Sequence, residues 1–322
     1  MNIRRVLLAC LVACCLPASA LAEEPWPARP IRLIVPFPPG AGTDTVARFV
    51  AQRLSDTMKA QIVIENKTGA GGAIGAAEAA AAAPDGYTLL FVASPFTTVA
   101  AASKTPTYDP VRQFVPVAPI ASGPLAFIVN RDVPATTMRE FVTLAKTMPG
   151  KLNYGSAGAG SVNHLALELL NARAGIVVVH VPYRGIADAT KDLLGGQIQA
   201  MTASIPATLP LAAEKRVKVL AVTGPKRIPQ MPSVPSWEEE GVHDASVINY
   251  WGIVAPAGTP SHVIARLNAD VQKVLAHHEV KERLEKEGAE LIPGPPSRLG
   301  ALIEHDLAHW KKLIVEAKLS FE

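Results

Sequence analysis

Twice along the chain an apolar run of strand length enters a loop of small residues and leaves it as a helix. Gly40-Ala41-Gly42-Thr43 follows the β-branched run 31–37 and the turn Pro38-Pro39-Gly40. Gly158-Ala159-Gly160-Ser161 lies in the small-residue loop 155–161 that follows the run 151–154. After the first loop, Thr43 and Asp44 are good N-cap residues, and Val46, Phe49, Val50 and Leu54 recur on one helical face. After the second, a helix carries Leu165, Glu168 and Leu170 to about residue 174. Loops of this kind, equivalently placed, mark a chain built from two α/β units on one plan.

The rest of the chain fits that plan. In the first unit, strands are predicted at 61–66 and 87–93, separated by the glycine-rich turn 69–75, an alanine-rich helix to about residue 83, and the breaker Pro84-Asp85-Gly86. In the second, strands are predicted at 176–183, 197–203 and 217–223. Strands alternating with helices imply a parallel sheet covered on both faces. The third strands end alike, at Ala93-Ser94-Pro95 and Ala203-Ser204-Ile205-Pro206. Two consecutive strand-like runs, 114–120 and 124–130, and another at 250–255 read as crossings between the units, which makes a paired hinge. After the last crossing, Thr259-Pro260 starts a helix with the apolar face Ile264, Leu267, Val271, Val274 and Leu275. A final helix from about residue 296 carries Leu302, Leu307, Trp310 and Leu313, and this C-terminal segment is expected to pack back onto the first unit. The expected division is 23–122 for the first part of lobe one, 123–247 for lobe two, and 248–322 for the return to lobe one.

The amino terminus points to export. Arg4 and Arg5 precede the apolar run 6–16, and small residues lead to Ala20-Leu21-Ala22, the layout of a secretory signal (1–22) cleaved after Ala22. The run is too short to span a bilayer. Leu11-Val12-Ala13-Cys14 is a competing lipid-attachment box, ranked second because it leaves a very short apolar core. All three cysteines, Cys10, Cys14 and Cys15, lie in that leader, so the expected mature chain has no disulfide, cysteine nucleophile or thiolate metal site. With 31 basic and 28 acidic side chains, less Arg4 and Arg5, the mature chain is nearly neutral, and nothing suggests nucleic acid or an anionic membrane as a partner.

In open α/β sheets the ligand site lies beyond the carboxyl ends of the strands, where helices begin. Both small-residue loops are expected there, each offering backbone N–H groups at a positive helix end to an anionic oxygen. The hydroxyls of Thr43 and Ser161 either bond such oxygens or cap their helices. No cofactor or metal is expected. The loop 69–75 resembles a dinucleotide fingerprint but has Ile74 where the third glycine belongs, and no nucleophile elbow surrounds Ser156 or Ser161. His305 and His309 have metal-compatible spacing without the glutamate of the protease motif, and read better as a solvated helix face.

Several stretches resemble the extracytoplasmic receptors of tripartite tricarboxylate transporters, the Bug proteins. They are Trp26-Pro27-Ala28-Arg29-Pro30-Ile31, PFPPGAGTDTVAR (36–48), ENKTGAGGAIGA (65–76), NYGSAGAGSVNHLALELL (153–170), VPYRG (181–185) and WGIVAPAGTP (251–260). The resemblance implies a type II periplasmic-binding-protein fold: two doubly wound α/β lobes on a two-strand hinge, a Venus flytrap. It also implies a site in which Gly40, Ala41, Gly42, Thr43 and Asp44 on one lobe, and Ser156, Ala157, Gly158, Gly160 and Ser161 on the other, grip a carboxylate, partly through ordered water. On the same footing Ser94 and Ser204 line the cleft and Phe37 and Tyr183 wall it. His164, one turn beyond Ser161, is either a ligand contact or a structural histidine. Ala41 stands where relatives commonly have glycine. Pro95-Phe96-Thr97-Thr98 is more apolar than in many relatives, and Asp44 is the only acidic side chain in these loops, which favours a non-amino acid, aromatic or dicarboxylic. The implied partners are that small organic carboxylate and the membrane subunits of a tripartite transporter. The alternatives are an adaptor that reports ligand to a membrane sensor kinase, or a carboxylate-processing enzyme.

Overall fold

Burial alternates along the first strand: Ile31, Leu33 and Val35 point into one core while Ile34 points into another. The third strand does the same, with Leu89, Phe91 and Ala93 on one face and Leu90 and Val92 on the other. A sheet apolar on both faces must be covered on both, which only helices on each side achieve. The structure, a computed structural model, describes residues 26–40, 42–243, 245–286, 288–316 and 319. The expected leader with its cysteines, within residues 1–25, and Ala41 lie outside the described residues.

The elements in chain order are β1 (Ile31–Val35), α1 (Gly42–Met58), β2 (Ile62–Asn66), a 3₁₀ turn (Ala70–Gly72), α2 (Ala73–Ala80), β3 (Thr88–Ala93), α3 (Pro95–Ala102) and β4 (Phe114–Asn130). Then come α4 (Met138–Thr147), β5 (Asn153–Ser156), α5 (Val162–Ala174), β6 (Val179–Pro182), α6 (Ile186–Leu194), β7 (Ala200–Ser204), α7 (Ile205–Ala213) and β8 (Val217–Val222). The chain ends with β9 (Ile248–Pro256), α8 (Ser261–Leu275), α9 (His278–Lys286), β10 (Glu290–Leu291) and α10 (Pro296–Glu316). Among the described residues no helix is long and apolar enough to cross a membrane.

The strand order β2-β1-β3-β9-β4-β7-β5-β6 contains the same motif twice. In lobe one, parallel β2, β1 and β3 are followed by antiparallel β9 and then β4. In lobe two, parallel β6, β5 and β7 are followed by antiparallel β4, which also pairs β8. Each lobe thus takes one strand from a segment that belongs mainly to the other.

The two runs read as consecutive strands are one strand, β4, of 17 residues. Its pairing with β9 extends from Phe114 to Pro124, and its pairing with β7 begins at Leu125. Pro116 and Pro119 cannot donate to a ladder, and the register shifts next to each of them, so bulges carry the strand past both prolines. β4 and β9 lie side by side as the two crossings.

The C-terminal segment also differs from expectation. Helices α8 and α9 bury Val263, Leu267, Val271, Val280 and Leu284 in the same core as β1 and β3. Helix α10 does not stop there. Its Leu299 and Ile303 enter a lobe-one core, whereas Trp310 and Leu313 enter the core of lobe two. At 1.5 Å per residue, its 21 residues are long enough to span both. Pro260, read as the first helical residue, stands just before α8, and the Thr259 hydroxyl turns back to donate to the Pro256 carbonyl at 2.8 Å.

Candidate functional site

At the carboxyl ends of β1, β3, β5 and β7 the chain turns into α1, α3, α5 and α7, so four positive helix ends gather where the lobes meet. The lobes are in contact at this edge. A Cβ built on Gly42 would stand 3.9 Å from Ser204 Oγ, and the Thr98 hydroxyl of α3 donates to the Gly160 carbonyl at 2.9 Å.

The first loop is held from beneath by Asp44. The helix already begins at Gly42, so Asp44 occupies its third position rather than the cap, and its carboxylate reaches back to accept the Gly40 N–H at 2.8 Å. It also accepts from Arg48 Nε at 2.8 Å and Asn66 Nδ2 at 2.7 Å, and is 1% exposed. Burial alone would raise its pKa, but the bonds from Arg48, Asn66 and Gly40 outweigh this and hold the carboxyl below its usual value. Asp44 is therefore a strut of the loop, with its side chain fully engaged. Asn66 extends the strut by donating to the Phe37 carbonyl at 2.9 Å. Sequence reasoning did not single it out, since an asparagine ending a strand is an ordinary turn residue.

The second loop is tied down through its amides. Ser156 Oγ accepts the Gly158 N–H at 3.0 Å, the Gly158 carbonyl accepts the Ser161 N–H at 3.2 Å, and His164 Nδ1 accepts the Gly160 N–H at 3.0 Å. The sequence leaves these amides free for an anion; the structure engages those of Gly40, Gly158, Gly160 and Ser161 internally. The loops need glycine for their shape instead: φ is +80° at Gly40, +109° at Gly158 and +75° at Gly160. Among the described residues, the amides of Gly42 and Thr43 in the first turn of α1, and of Ala157 and Ala159, have no acceptor.

Of the two hydroxyls left with alternatives, Ser161 caps α5 by accepting the His164 N–H at 3.4 Å, and Thr43 accepts from Trp251 Nε1 at 3.3 Å. The equivalent serines differ. Ser94, 1% exposed, donates to the Ile248 carbonyl at 3.1 Å and accepts the Tyr250 N–H at 3.2 Å, which fastens β3 to hinge strand β9. Its hydroxyl does not line the cleft. Ser204 is half-buried at the lobe contact, and its hydroxyl has no partner among the described residues.

Phe37 lines a small apolar cavity with Gly72 and Phe96 in lobe one. Tyr183 packs against the second loop, its carbonyl 3.5 Å from where a Cβ on Gly158 would stand, and its hydroxyl donates to Asp192 at 2.7 Å. His164 is buried and stacks on His180 with ring centroids 3.7 Å apart. His180 was missed because it sits inside an apolar strand run; its Nε2 lies 2.6 Å from Ser156 Oγ. Burial, with His180 alongside, lowers the His164 pKa to about 3, and burial lowers that of His180 to about 4. Both rings are thus neutral near pH 7. Among the described residues no group of acidic, histidine or cysteine side chains is arranged to hold a metal ion.

The family model described as "Tripartite tricarboxylate transporter family receptor" matches residues 46–319. A protein encoded between tcbD and tcbE in Pseudomonas sp. strain P51 is 36% identical over 98% of this chain and 95% of its own length. BugT of Bordetella pertussis is 31% identical over 98% of both. Among solved structures, Rpa4515 of R. palustris with adipate is 33% identical at a TM-score of 0.86, covering 92% of this chain and 99% of that one. MatC of Rhodopseudomonas palustris with bound malate is 32% identical at a TM-score of 0.84, covering 90% and 100%. The duplicated strand order, the small-residue loops at the lobe contact and these matches lead to one conclusion: the chain belongs to the tripartite tricarboxylate transporter receptor family and has the two-lobed α/β fold of its periplasmic binding proteins.

Proposed function

We propose that the protein captures a small organic carboxylate between its lobes and delivers it to the membrane subunits of a tripartite transporter. The observation that carries this reading is the juxtaposition of Gly42 on one helix end with Ser204 and the 156–161 loop of the other lobe. Unpartnered amides at Gly42, Thr43, Ala157 and Ala159 would grip the carboxylate, with Ser204 Oγ as a further donor. Gly40, Gly158, Gly160, Asp44 and Ser156 would hold the loops in shape. Adipate and malate in the two related structures support a dicarboxylate. Asp44 offers no charge to an ammonium group, because Arg48 already pairs with it.

In this reading the open form binds the acid on one lobe, and rotation about β4 and β9 brings the second lobe onto it and excludes water. The ligand drives closure by the contacts it gains only there. Residues 1–22 act as a leader cleaved after Ala22, which places the mature chain in the periplasm. The protein binds its acid without transforming it. The test is calorimetric titration with mono-, di- and aromatic carboxylates: one-site binding of an acid recovered unchanged is expected. Turnover of the bound acid would contradict the reading.

A further inference from the structure

We propose that His164 and His180 are positioning residues: as neutral rings they lock the 156–161 loop in its carboxylate-accepting shape, and a proton on His164 Nδ1 releases it. This rests on the carboxylate-binding reading above.

The geometry supplies two locks, one at each end of the loop. At the far end, His164 Nδ1 accepts the Gly160 N–H at 3.0 Å, so the proton of the neutral ring must sit on Nε2. At the near end, His180 Nε2 lies 2.6 Å from Ser156 Oγ, the same oxygen that accepts the Gly158 N–H at 3.0 Å. The rings are stacked at 3.7 Å, so the two locks are one unit. An imidazolium has no acceptor nitrogen. Protonating His164 would set two N–H groups against each other at Gly160. Charging either ring would place that charge, largely out of water, against its partner.

Among the described residues, the titratable neighbours are already engaged elsewhere. The Tyr154 ring, on β5, lies 5.0 Å from His180 and 6.3 Å from His164, and its hydroxyl is committed to Glu168 of α5 at 2.5 Å. Glu168 is itself half-buried and accepts from Asn171 as well. Helix α3, which covers Gly160 from the other lobe, has no titratable side chain. Burial keeps both histidines neutral at ordinary pH, in keeping with a lock that opens only on acidification.

The test uses amide exchange at Gly160 and ¹⁵N-histidine spectra of the ligand-free protein, with adipate and malate affinities alongside. His164 is expected as the Nε2–H tautomer, with Gly160 protected at pH 7 and exposed as the histidines titrate. His164→Asn, whose amide oxygen can replace Nδ1, should keep the protection and remove its pH step. His164→Leu should lose the protection and weaken binding about tenfold at pH 7.5, the worth of one buried hydrogen bond. Affinities are compared between variants at equal pH, so that the ionisation of the acid cancels. Equal Gly160 protection in the leucine variant, or wild-type protection unchanged while His164 titrates, overturns the proposal. Should neither acid bind, amide exchange still decides the lock, and only the choice of ligand fails.

Discussion

The Thr98 hydroxyl, on lobe one, donates to the carbonyl of Gly160, in lobe two, at 2.9 Å. It joins the lobes directly at the 156–161 loop, and both residues are buried. Breaking it is one cost of opening. Thr98→Val keeps the shape and removes the donor, so the closed state should weaken by about 1 kcal/mol, or roughly fivefold in affinity. Stopped-flow binding should show the loss in the dissociation rate; an unchanged rate would mean that the contact plays no part in closure.

Gly160 tolerates no side chain. Its φ of +75° disfavours any Cβ, and a Cβ there would stand 3.3 Å from that of Ala102 across the lobe contact. Gly160→Val should abolish carboxylate binding while far-ultraviolet circular dichroism and cooperative unfolding persist. Wild-type affinity in that variant would remove the loop from the site.

Helix α10 ties lobe one to lobe two more firmly than any single hydrogen bond. Trp310 is 2% exposed in the lobe-two core, and its indole donates to Asp306 at 3.1 Å. Trp310→Ala should cost about 3–5 kcal/mol in chemical denaturation. Because that anchoring outweighs the Thr98 bond, opening is expected to leave the end of α10 docked on lobe two. A cost below 1 kcal/mol, the level of one ordinary hydrogen bond, would show that the anchoring is weak.

The stacked histidines set a pH dependence of stability. Both have folded values below the ordinary 6.5, at about 3 and about 4, so between those limits the unfolded chain binds more protons. Their contribution is complete above about pH 6.5 and is lost as pH falls through 4. Asp306 acts oppositely: burial, partly offset by bonds from Thr97 and Trp310, raises it to about 6, so its contribution is lost as pH rises from 3.8 through 6. Glu168, raised by burial, acts as Asp306 does, and His309, lowered by burial, adds to the stacked pair, so three groups against two leave a net loss on acidification. Urea midpoints should fall between pH 7 and pH 4.5, and less so in His164→Asn/His180→Gln; an equal fall in both would place the effect elsewhere.

Much of this molecule can be read from its residues. The loops at Gly40 and Gly158 and the alternation of strands with helices foretell two similar lobes, because small-residue turns and periodicity are local signals. What escapes is non-local. The gap at 121–123 separates two runs because nothing in the sequence shows that β9 lies alongside to carry β4 through it. Ser94 and Ser204 look equivalent in sequence, but one hydroxyl is buried against the hinge and the other is half-exposed between the lobes. His180 shows no motif of its own, since its role depends on stacking with His164 from another element. The amides of Gly158 and Gly160 look available until their acceptors, Ser156 Oγ and His164 Nδ1, are seen in place.

The most direct measurement is a crystal structure of the protein with the tightest-binding acid from the titration screen. The carboxylate is expected between the lobes, its oxygens within hydrogen-bonding distance of the Gly42–Thr43 amides on one side and the Ala157 or Ala159 amide on the other. A carboxylate bound outside that gap, or held by one lobe alone in the closed form, would contradict the account.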